Sequence, residues 1–324
     1  MEQVEIPLFK LWPGSNRFLL HGAVRLGPLV DCGYNMCLWI TFLVPTVFFF
    51  VLPGPAIWLD VSPAIVAVIC GLVIISSSLF VVSICADPGY IPRKEIQILL
   101  NIQEDVRRLF GIPVPELIMP EKVFLAADGK SLEIENAFND EALLTEEMRV
   151  QGYKYCSTCR IIRPPRASHC SDCGNCCLRH DHHCPFINNC VGQRNYVFFI
   201  SFVVSAIVLG MMILFSVILW VADGSSSLSN PIVVTVVGCL VGLPTALMLL
   251  FGIVFWIYHV YLTCTGRTTR EHLRGRVFDP AVSVSSGADP RIFSSSWFVR
   301  PPRLYPSLAT KVKVFKRIID PIRV

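Results

Sequence analysis

The sequence is poor in charged residues. Only 16% of its 324 residues are Asp, Glu, Lys or Arg, whereas soluble globular domains carry about 25%. Hydrophobic residues make up 53% of the chain. This balance argues against an ordinary soluble protein and directs attention to where the apolar residues are concentrated.

Lys, Arg, Asp and Glu are absent from four long apolar blocks. The blocks are Tyr34–Trp58, Ser62–Ala86, Tyr196–Val221 and Pro231–Thr263. Each supplies the roughly 20 apolar residues that a helix needs to cross a bilayer. A buried core helix would explain any one block, but four in one chain predict an integral membrane protein. Pro45, Pro53 and Pro55 interrupt the first block and predict kinks or a short interfacial end.

Basic residues are absent from the turns within each pair of blocks. Residues 1–33 hold three Lys or Arg, residues 87–195 hold thirteen and residues 264–324 hold twelve, which accounts for all 28. By the positive-inside rule, both termini and the central segment are cytosolic. Positive charge on one face suits anionic lipid headgroups or an anionic cofactor, and we expect no nucleic-acid partner.

The predicted fold is an all-α polytopic membrane protein with four transmembrane helices and a small cysteine-rich cytosolic domain between helices 2 and 3. The expected segments are 1–33 (cytosolic), 34–86 (helices 1 and 2), 87–152 (cytosolic linker), 153–195 (cysteine-rich domain), 196–263 (helices 3 and 4) and 264–324 (cytosolic C-terminal segment).

Three cytosolic stretches carry further structural expectations. Residues 95–110 predict an amphipathic helix, a candidate for lying on the membrane. Residues 121–135 predict a hairpin around Asp128-Gly129. Residues 311–320 mix basic and apolar side chains, and they predict either a membrane-surface segment or a solvated tail.

Cysteine is concentrated in one segment. Eight of the fourteen cysteines lie between Cys156 and Cys190, in a region expected to face the reducing cytosol. There, clustered cysteines more often bind metal or catalyse than form disulfides.

The cysteine-rich segment contains an internal repeat of fourteen residues. Cys156, Cys159, His169 and Cys176 have the same offsets as Cys170, Cys173, His183 and Cys190. Each unit offers three thiolates and one imidazole, the set that closes a tetrahedral structural zinc site. We therefore expect two Zn²⁺ ions. One site with spare thiols, or an iron–sulfur cluster, is the alternative, and histidine ligation disfavours the cluster.

The repeat leaves Cys184 without a metal. It follows His183 as Cys170 follows His169, but Ile187 stands where a third Cys-x-x-Cys pair would need its partner. A thiol nucleophile needs an oriented base beside it. His182 is the candidate base and Asp181 the carboxylate that orients it. The alternative is that both support the zinc sites.

Residues 154–199, "KYCSTCRIIRPPRASHCSDCGNCCLRHDHHCPFINNCVGQRNYVFF", closely resemble the cysteine-rich domain of the DHHC-type protein S-acyltransferases, or palmitoyltransferases. "ADPGYIPR" (86–93) is similar to the family's Asp-Pro-Gly motif, and "TTRE" (268–271) to its Thr-Thr-x-Glu motif. The four-helix layout is also the family's. Together with "RPPRASHC", the stretch "LFKLWPGSNRFLLHGAVRLGP" looks most like the subfamily that includes the Ras palmitoyltransferases and many plant and protist members.

The resemblance implies a two-step transfer. Cys184 would take a fatty acyl group from palmitoyl-CoA or another acyl-CoA as a thioester and pass it to a cysteine of a membrane-associated substrate protein. It also implies Asp181 and His182 as orienting residue and base, two structural Zn²⁺, and an integral endomembrane location in the Golgi, endoplasmic reticulum or plasma membrane. An accessory subunit is a further candidate partner.

Cations near this motif are candidates for binding the phosphates of coenzyme A, with structural ion pairs as the alternative. They are Arg163, Arg166, Arg179 and Arg194. The resemblance also implies that Thr268, Thr269 and Glu271 tie the C-terminal segment to the active site. A plain helix cap is the alternative for these three residues.

The sequence departs from the family pattern at a few positions. Phe186 replaces the usual Trp, and Cys177 and His180 stand where relatives are usually apolar or basic. Cys177 is a minor candidate for metal ligation or acylation. Cys264 is a weak candidate for juxtamembrane acylation.

Three other classes of function compete with the acyltransferase. A membrane-anchored zinc-binding adaptor would need the eight ligands but not Cys184. A transporter would usually carry ionisable groups within its spans, where here His259 is the only residue among His, Lys, Arg, Asp and Glu. The intact Asp-His-His-Cys motif argues against an inactive scaffold.

Overall fold

The computed structural model of the chain describes residues 2–115, 120–223, 230–276, 278 and 288–316. Its α-helices are α1 (Leu8–Leu11), α2 (Cys32–Val51), α3 (Pro53–Ala56), α4 (Pro63–Cys85), α5 (Lys94–Leu99), α6 (Gln103–Leu109), α7 (Glu146–Val150), α8 (Tyr196–Asp223), α9 (Pro231–Val237), α10 (Leu243–Cys264), α11 (Thr269–Leu273) and α12 (Pro290–Phe293). Its strands are β1 (Glu2–Pro7), β2 (Arg17–Leu19), β3 (Val24–Leu26), β4 (Tyr90–Ile91), β5 (Lys122–Leu125), β6 (Leu132–Glu135), β7 (Lys154–Cys156), β8 (Ile161–Arg163), β9 (Ser168–Cys170), β10 (Asn175–Cys177), β11 (His182–Cys184), β12 (Asn189–Val191) and β13 (Lys311–Lys316).

Four helical segments among the described residues are long and apolar enough to cross a membrane. They are Leu29–Val51, Pro63–Cys85, Tyr196–Ala222 and Pro231–Cys264. The prediction of four transmembrane helices is confirmed. The first segment begins and ends several residues earlier than the apolar block suggested.

Prolines shape two of the four segments in different ways. Pro45 lies inside α2 without ending it, whereas Pro53 begins the separate turn α3 after Leu52. A proline fits the first turn of a helix because the missing N–H would have no partner there. Pro244, in the first turn of α10, follows a π-helical turn at Gly238–Gly242. Such a wider turn is where a helix absorbs a displaced backbone hydrogen bond.

The cytosol-facing ends predicted for all four segments meet at the cysteine-rich domain. Asp31, just before α2, contacts His183. The Asn189 amide donates to the carbonyls of Ile84 (3.0 Å) and Ala86 (2.9 Å) at the end of α4. Since the last carbonyls of a helix lack partners within it, these bonds fasten α4 to the domain. The described parts of the basic segments therefore lie on one side of the helices, and the cytosolic orientation of that side stays a prediction.

The cysteine-rich domain consists of three β-hairpins spaced by fourteen residues. They are β7–β8, β9–β10 and β11–β12, paired with the same register: Lys154 opposite Arg163, Ser168 opposite Cys177, and His182 opposite Val191. The repeat detected as two ligand sets is thus a repeat of three hairpins.

Outside the membrane segments the fold is not purely helical. A four-stranded sheet has the order β1-β13-β5-β6, with β13 antiparallel to β1 and parallel to β5. The hairpin expected around Asp128-Gly129 is confirmed as β5–β6. Both expectations for residues 311–316 are wrong, because β13 is an interior strand of this sheet. Residues 317–320 lie outside the described residues.

The amphipathic helix predicted for residues 95–110 is two short helices, α5 and α6. Its apolar side chains Ile96, Val106 and Phe110 are buried in the protein core. The expectation that it lies on a membrane is wrong, since that face is already covered by protein. Lys94 at its start is also buried, with Glu121 and Asp140 at 2.8 and 2.9 Å.

Candidate active site and metal centres

The turns of the three hairpins place chemically equivalent positions in a row. The first position of each turn is a cysteine: Cys156, Cys170 and Cys184. The residue after the second ligand position has a positive φ in every turn, at Arg160 (53°), Gly174 (67°) and Asn188 (46°). The shared left-handed residue lets the turn close tightly over the cysteine sulfur.

The first group of ligand atoms joins hairpins one and two. Cys156 and Cys159 come from the first turn, and His169 and Cys176 from the strands of the second hairpin. The His169 Nδ1 atom lies 3.3 Å from the Cys159 sulfur and 3.7 Å from the Cys176 sulfur. All four ligand atoms lie within 4.8 Å of one another.

The second group joins hairpins two and three in the same way. The His183 Nδ1 atom lies 3.6, 3.4 and 3.7 Å from the sulfurs of Cys170, Cys173 and Cys190. The Cys190 and Cys173 sulfurs are 3.6 Å apart. Both predicted sets therefore come together in space.

These separations fit a tetrahedral zinc ion. With Zn–S of about 2.3 Å and Zn–N of about 2.0–2.1 Å, the edges of a tetrahedron are about 3.8 Å between sulfurs and about 3.6 Å between sulfur and nitrogen. The observed separations of 3.3–3.7 Å match those edges. Two groups of soft ligands with this spacing could hold two metal ions.

Cys184 occupies the first turn position of the third hairpin, where the other two hairpins carry a metal ligand. Ile187, at the position of the second ligand, is buried. Burial alone raises the pKa of the Cys184 thiol. Hydrogen bonds from His182 and from the N–H groups of Ile187 and Phe186 outweigh burial and lower that pKa. The turn is therefore built to hold a thiolate.

His182 stands between this thiol and a buried carboxylate. The His182 Nδ1 atom lies 2.6 Å from Asp181 Oδ2, and the Asp181 side chain is fully buried. Burial lowers the pKa of His182, but the hydrogen bonds and charges of Asp181 and Cys184 raise it to about 10. The arrangement therefore favours transfer of the thiol proton to the imidazole, which gives an imidazolium–thiolate pair.

Thr269 orients the carboxylate from the C-terminal side. Its backbone N–H donates to Asp181 Oδ1 at 2.8 Å and its hydroxyl to Asp181 Oδ2 at 2.7 Å. Burial raises the pKa of Asp181, but His182 and these bonds from Thr269 lower it. Asp181 thus stays ionised although it is buried.

The rest of the Thr-Thr-x-Glu motif combines both roles considered for it. Thr268 and Glu271 form a capping box at the start of α11. Glu271 also accepts two bonds from the Arg166 guanidinium, at 2.8 and 2.7 Å. The motif both caps a helix and ties it to the loop before the second hairpin.

A cavity of about 480 Å³ begins at Cys184 and lies among α2, α8 and α10. On α8 its lining runs from Phe199 to Ile213, a length of about 21 Å at 1.5 Å per residue. Its other lining residues include Leu38, Phe42, Phe202, Leu209, Met248 and Leu249. The cavity can take a long apolar chain whose reactive end meets the thiol.

Three of the four candidate arginines have partners inside the protein. Arg166 pairs with Glu271, and Arg194 contacts Asp87 at 3.3 Å and the Pro301 carbonyl. Arg179 is buried and donates to the carbonyls of Ser294 and Ser295. These contacts correspond to the structural alternative, and a role of these arginines in binding coenzyme A stays a prediction.

Arg163 differs from the other three arginines. It lies opposite Lys154 in the first hairpin. Among the described residues it forms no salt bridge, and its buried Nε has no hydrogen-bond partner.

Cys177 and His180 are buried and lie outside both ligand groups. The Cys177 sulfur faces the Pro88 carbonyl at 3.4 Å. Cys264 and Phe186 are exposed.

Sequence reasoning missed several residues that surround the site. Trp297 stacks on Tyr196 (3.8 Å between ring centroids) and lies 3.7 Å below the Arg179 guanidinium. Tyr196 in turn bonds His259, whose ring is 6.2 Å from that of His182.

Two carboxylate contacts were also missed. Asp31 meets His183, and Arg25 pairs with Asp87 at 3.0 Å. Spacing along the chain offered no indication of these contacts, although Asp87 and Tyr196 lie in stretches that resemble the family.

Residues 149–276 match the family model for the DHHC palmitoyltransferase. The matched part includes all three hairpins, α8, α10 and α11.

The chain is also similar to three curated proteins. Palmitoyltransferase erf2 of Emericella nidulans is 31% identical over 277 residues, 84% of this chain and 43% of the relative. Palmitoyltransferase ERF2 of Kluyveromyces lactis is 29% identical over 246 residues, which are 74% of this chain and 60% of the relative. Protein S-acyltransferase 8 of Arabidopsis thaliana is 31% identical over 289 residues, which are 83% of this chain and 63% of the relative. The chain spans about half the length of the curated relatives it matches.

Proposed function

The chain belongs to the DHHC palmitoyltransferase family, and on that premise we propose that it is a protein-cysteine S-palmitoyltransferase. It transfers a fatty acyl group from acyl-coenzyme A to cysteine side chains of proteins through a thioester on Cys184. One observation carries the proposal: a thiol with a lowered pKa, paired with the His182–Asp181 dyad, lies at the mouth of an apolar cavity between membrane helices.

In the first half-reaction the Cys184 thiolate attacks the thioester carbonyl of acyl-coenzyme A. The carbon–sulfur bond to coenzyme A breaks, and the leaving sulfur takes the proton of the His182 imidazolium. Asp181 supports this exchange, because its buried carboxylate stabilises the charged imidazolium and keeps its ring oriented.

In the second half-reaction neutral His182 removes the proton of the substrate cysteine. The substrate thiolate attacks the acyl carbonyl on Cys184, and Cys184 leaves as a thiolate. This restores the imidazolium–thiolate pair, so each cycle ends with the protonation state in which it began.

The cavity explains why this chemistry takes place at a membrane. Burying each methylene of an acyl chain contributes about 0.8 kcal/mol. A chain held between α2, α8 and α10 keeps its apolar part out of water while its carbonyl reaches Cys184. The membrane-associated substrates then need to bring only a cysteine to the cytosolic surface.

Two Zn²⁺ ions would be held by Cys156, Cys159, His169 and Cys176, and by Cys170, Cys173, His183 and Cys190. Each would fix two hairpins to one another and supply no chemistry to the transfer, because four protein ligands leave no open coordination position. The cysteine and histidine residues of the two groups therefore position the third hairpin, and with it Cys184.

The phosphates of coenzyme A are assigned to the basic surface around Arg163. Lys154 stands opposite Arg163, and burial together with the charges of Arg163 and of arginines near α11 lowers the pKa of Lys154. Among the described residues no salt bridge involves the members of this surface, which are Lys154, Arg163, Arg270, Arg274 and Arg276. Cations that lack an ion-pair partner among the described residues attract a polyanionic donor.

The domain with Cys184 faces the cytosol of an endomembrane, the Golgi, endoplasmic reticulum or plasma membrane. Support comes from the basic residues, which all fall in the three sequence segments assigned to that side. Membrane-associated proteins with cytosolic cysteines are the substrates, and an accessory subunit is a candidate partner.

Mass spectrometry of the purified chain after incubation with palmitoyl-CoA tests the function. We expect a hydroxylamine-sensitive palmitoyl adduct on the wild type and none on Cys184→Ser, with metal content equal in the two. A zinc-replete wild type that takes up no acyl group, alone or with added membrane extract, would instead support a zinc-binding adaptor.

A further inference from the structure

A carboxylate at the start of the first membrane helix contacts a histidine of the second metal group. Asp31 Oδ2 lies 2.8 Å from His183 Nε2, and each side chain is only 11% exposed. Asp31 immediately precedes α2, where an aspartate ordinarily caps the first turn. Here its side chain makes no capping bond and instead accepts a hydrogen bond from the histidine.

The ligand geometry fixes which nitrogen of His183 carries the proton. Its Nδ1 faces the sulfurs of Cys170, Cys173 and Cys190, so Nε2 carries the N–H and donates it to Asp31. A carboxylate that accepts this bond holds the tautomer and the ring plane and raises the basicity of the ligating nitrogen.

The first metal group lacks this support in the described part of the chain. His169 contacts the thiols of its own group, and no carboxylate among the described residues is bonded to its ring. The two groups have identical ligands and spacing, so the Asp31 contact is a difference that the repeat itself does not predict.

Two further contacts lie beside the Asp31 bond. The Asn35 amide in α2 donates to the Phe186 carbonyl at 2.6 Å. The Gly27 backbone packs against Asn188 so closely that a Cβ there would collide with the Asn188 carbonyl. The segment entering the first membrane helix therefore holds the hairpin of Cys184 at three adjacent points.

We propose that Asp31 is a positioning residue: it orients His183 for metal binding and fastens the first membrane helix to the hairpin that carries Cys184. The wall of the acyl cavity contributed by α2 is thereby held in register with the nucleophile. The inference rests on the zinc sites of the proposed function and does not depend on acyl transfer.

The test measures zinc release from the full chain purified in detergent. Wild type, Asp31→Ala, Asp31→Asn and Asn35→Ala are exposed to a chelator with a chromogenic zinc indicator, and newly accessible cysteines are alkylated and located by mass spectrometry. Asn35→Ala is the matched control, since it removes a bond to the same hairpin without touching His183.

We expect Asp31→Ala to weaken zinc affinity about 10–100-fold at one of the two sites, with alkylation at Cys170, Cys173 and Cys190. Asp31→Asn, which keeps an oxygen acceptor without the charge, should fall between Asp31→Ala and wild type. Asn35→Ala should retain both ions as wild type does.

Equal release in Asp31→Ala and wild type would overturn the proposal, as would equal effects of Asp31→Ala and Asn35→Ala. Loss of both ions together would also overturn it, because that result indicates unfolding rather than support of one ligand. A wild type with two zinc ions but no acyl uptake would leave this result intact while refuting the acyltransferase function.

Discussion

The first and second cysteine–histidine groups share ligand types, spacing and hairpin geometry, yet they have different surroundings. The first joins hairpins one and two, and its histidine is followed by Cys170, which is itself a ligand. The second joins hairpins two and three, and its histidine is followed by Cys184, which is not. The second group alone is bonded to the start of a membrane helix, through Asp31, as far as the described residues show.

Under the proposed function, the comparison explains how a nucleophile arises from a metal-binding repeat. Cys156, Cys170 and Cys184 occupy the same turn position, and backbone N–H groups of the turn are directed at the sulfur, as in Cys173 N to Cys170 Sγ at 3.5 Å. Such a turn stabilises a thiolate. In the third hairpin the compensating positive charge would be the His182 imidazolium instead of a metal, so the thiolate would remain available to react.

The largest difference is expected between two serine substitutions at equivalent positions. Cys170→Ser should lose one zinc ion and destabilise the domain, because a structural site contributes directly to folding. Cys184→Ser should keep two zinc ions and lose acylation completely. Metal analysis together with adduct mass spectrometry checks both. Two zinc ions in Cys170→Ser would mean that the second ligand set is wrong.

Replacing the base should have the next largest effect. His182→Ala is expected to slow acyl loading of Cys184 about 10²–10⁴-fold without releasing metal. Wild-type Cys184 has a lowered pKa, so its alkylation by iodoacetamide should persist to a lower pH than that of an ordinary cysteine and decline as pH falls through that pKa.

In His182→Ala, burial remains and the histidine is gone, so the pKa of Cys184 should rise and its alkylation should require higher pH. A rate–pH profile of alkylation measures the shift. Loss of zinc in this variant, or an unchanged profile, would contradict the roles assigned to His182 and His183.

A smaller effect is expected from Thr269→Val, which removes the hydroxyl bond to Asp181 and keeps the backbone bond. Hydrogen bonds to charged groups contribute about 1.5–3 kcal/mol, so loading should slow about 10–100-fold if the bond acts fully in the transition state. Single-turnover loading measures it, with Thr265→Val, whose hydroxyl bonds only its own helix, as control. Equal loading rates in both variants would show that the Thr269 hydroxyl does not contribute to acyl loading.

The smallest effect is expected at Cys177, which is fully buried beside ligand Cys176 but lies outside both groups. Cys177→Ala should retain two zinc ions and near wild-type loading, with a modest loss of thermal stability from the cavity it leaves. Metal content and a melting curve provide the measurement. A missing zinc ion would show that Cys177, not Cys176, completes the first group.

Local spacing predicted the parts of this protein that depend on neighbours in the chain. The four membrane helices follow from apolar length alone. The two ligand sets follow from cysteines three residues apart on hairpins repeated every fourteen residues, and the absence of a partner at Ile187 left Cys184 as the free thiol. The hairpin at Asp128-Gly129 was found for the same reason, since its turn is local.

Expectations based on amphipathic patterns were less secure. The pattern of residues 95–110 correctly indicated one buried face, but a periodic apolar face does not specify whether protein or lipid covers it. The strand at 311–316 alternates basic and apolar residues, and it became an interior strand because β1 and β5 lie on either side of it.

What the sequence by itself determined was therefore the four long apolar helices, the grouping of eight cysteine and histidine side chains into two sets, and the position of Cys184 outside both sets. Only the tertiary structure decided which distant side chains contact one another: Asp31 meets His183 across 152 positions, Thr269 meets Asp181 across 88, and Arg25 meets Tyr305 across 280. The reason is physical. A Cys-x-x-Cys turn or an apolar span depends on residues a few positions apart. A buried charge instead finds its partner on whichever distant segment folding brings within hydrogen-bond distance.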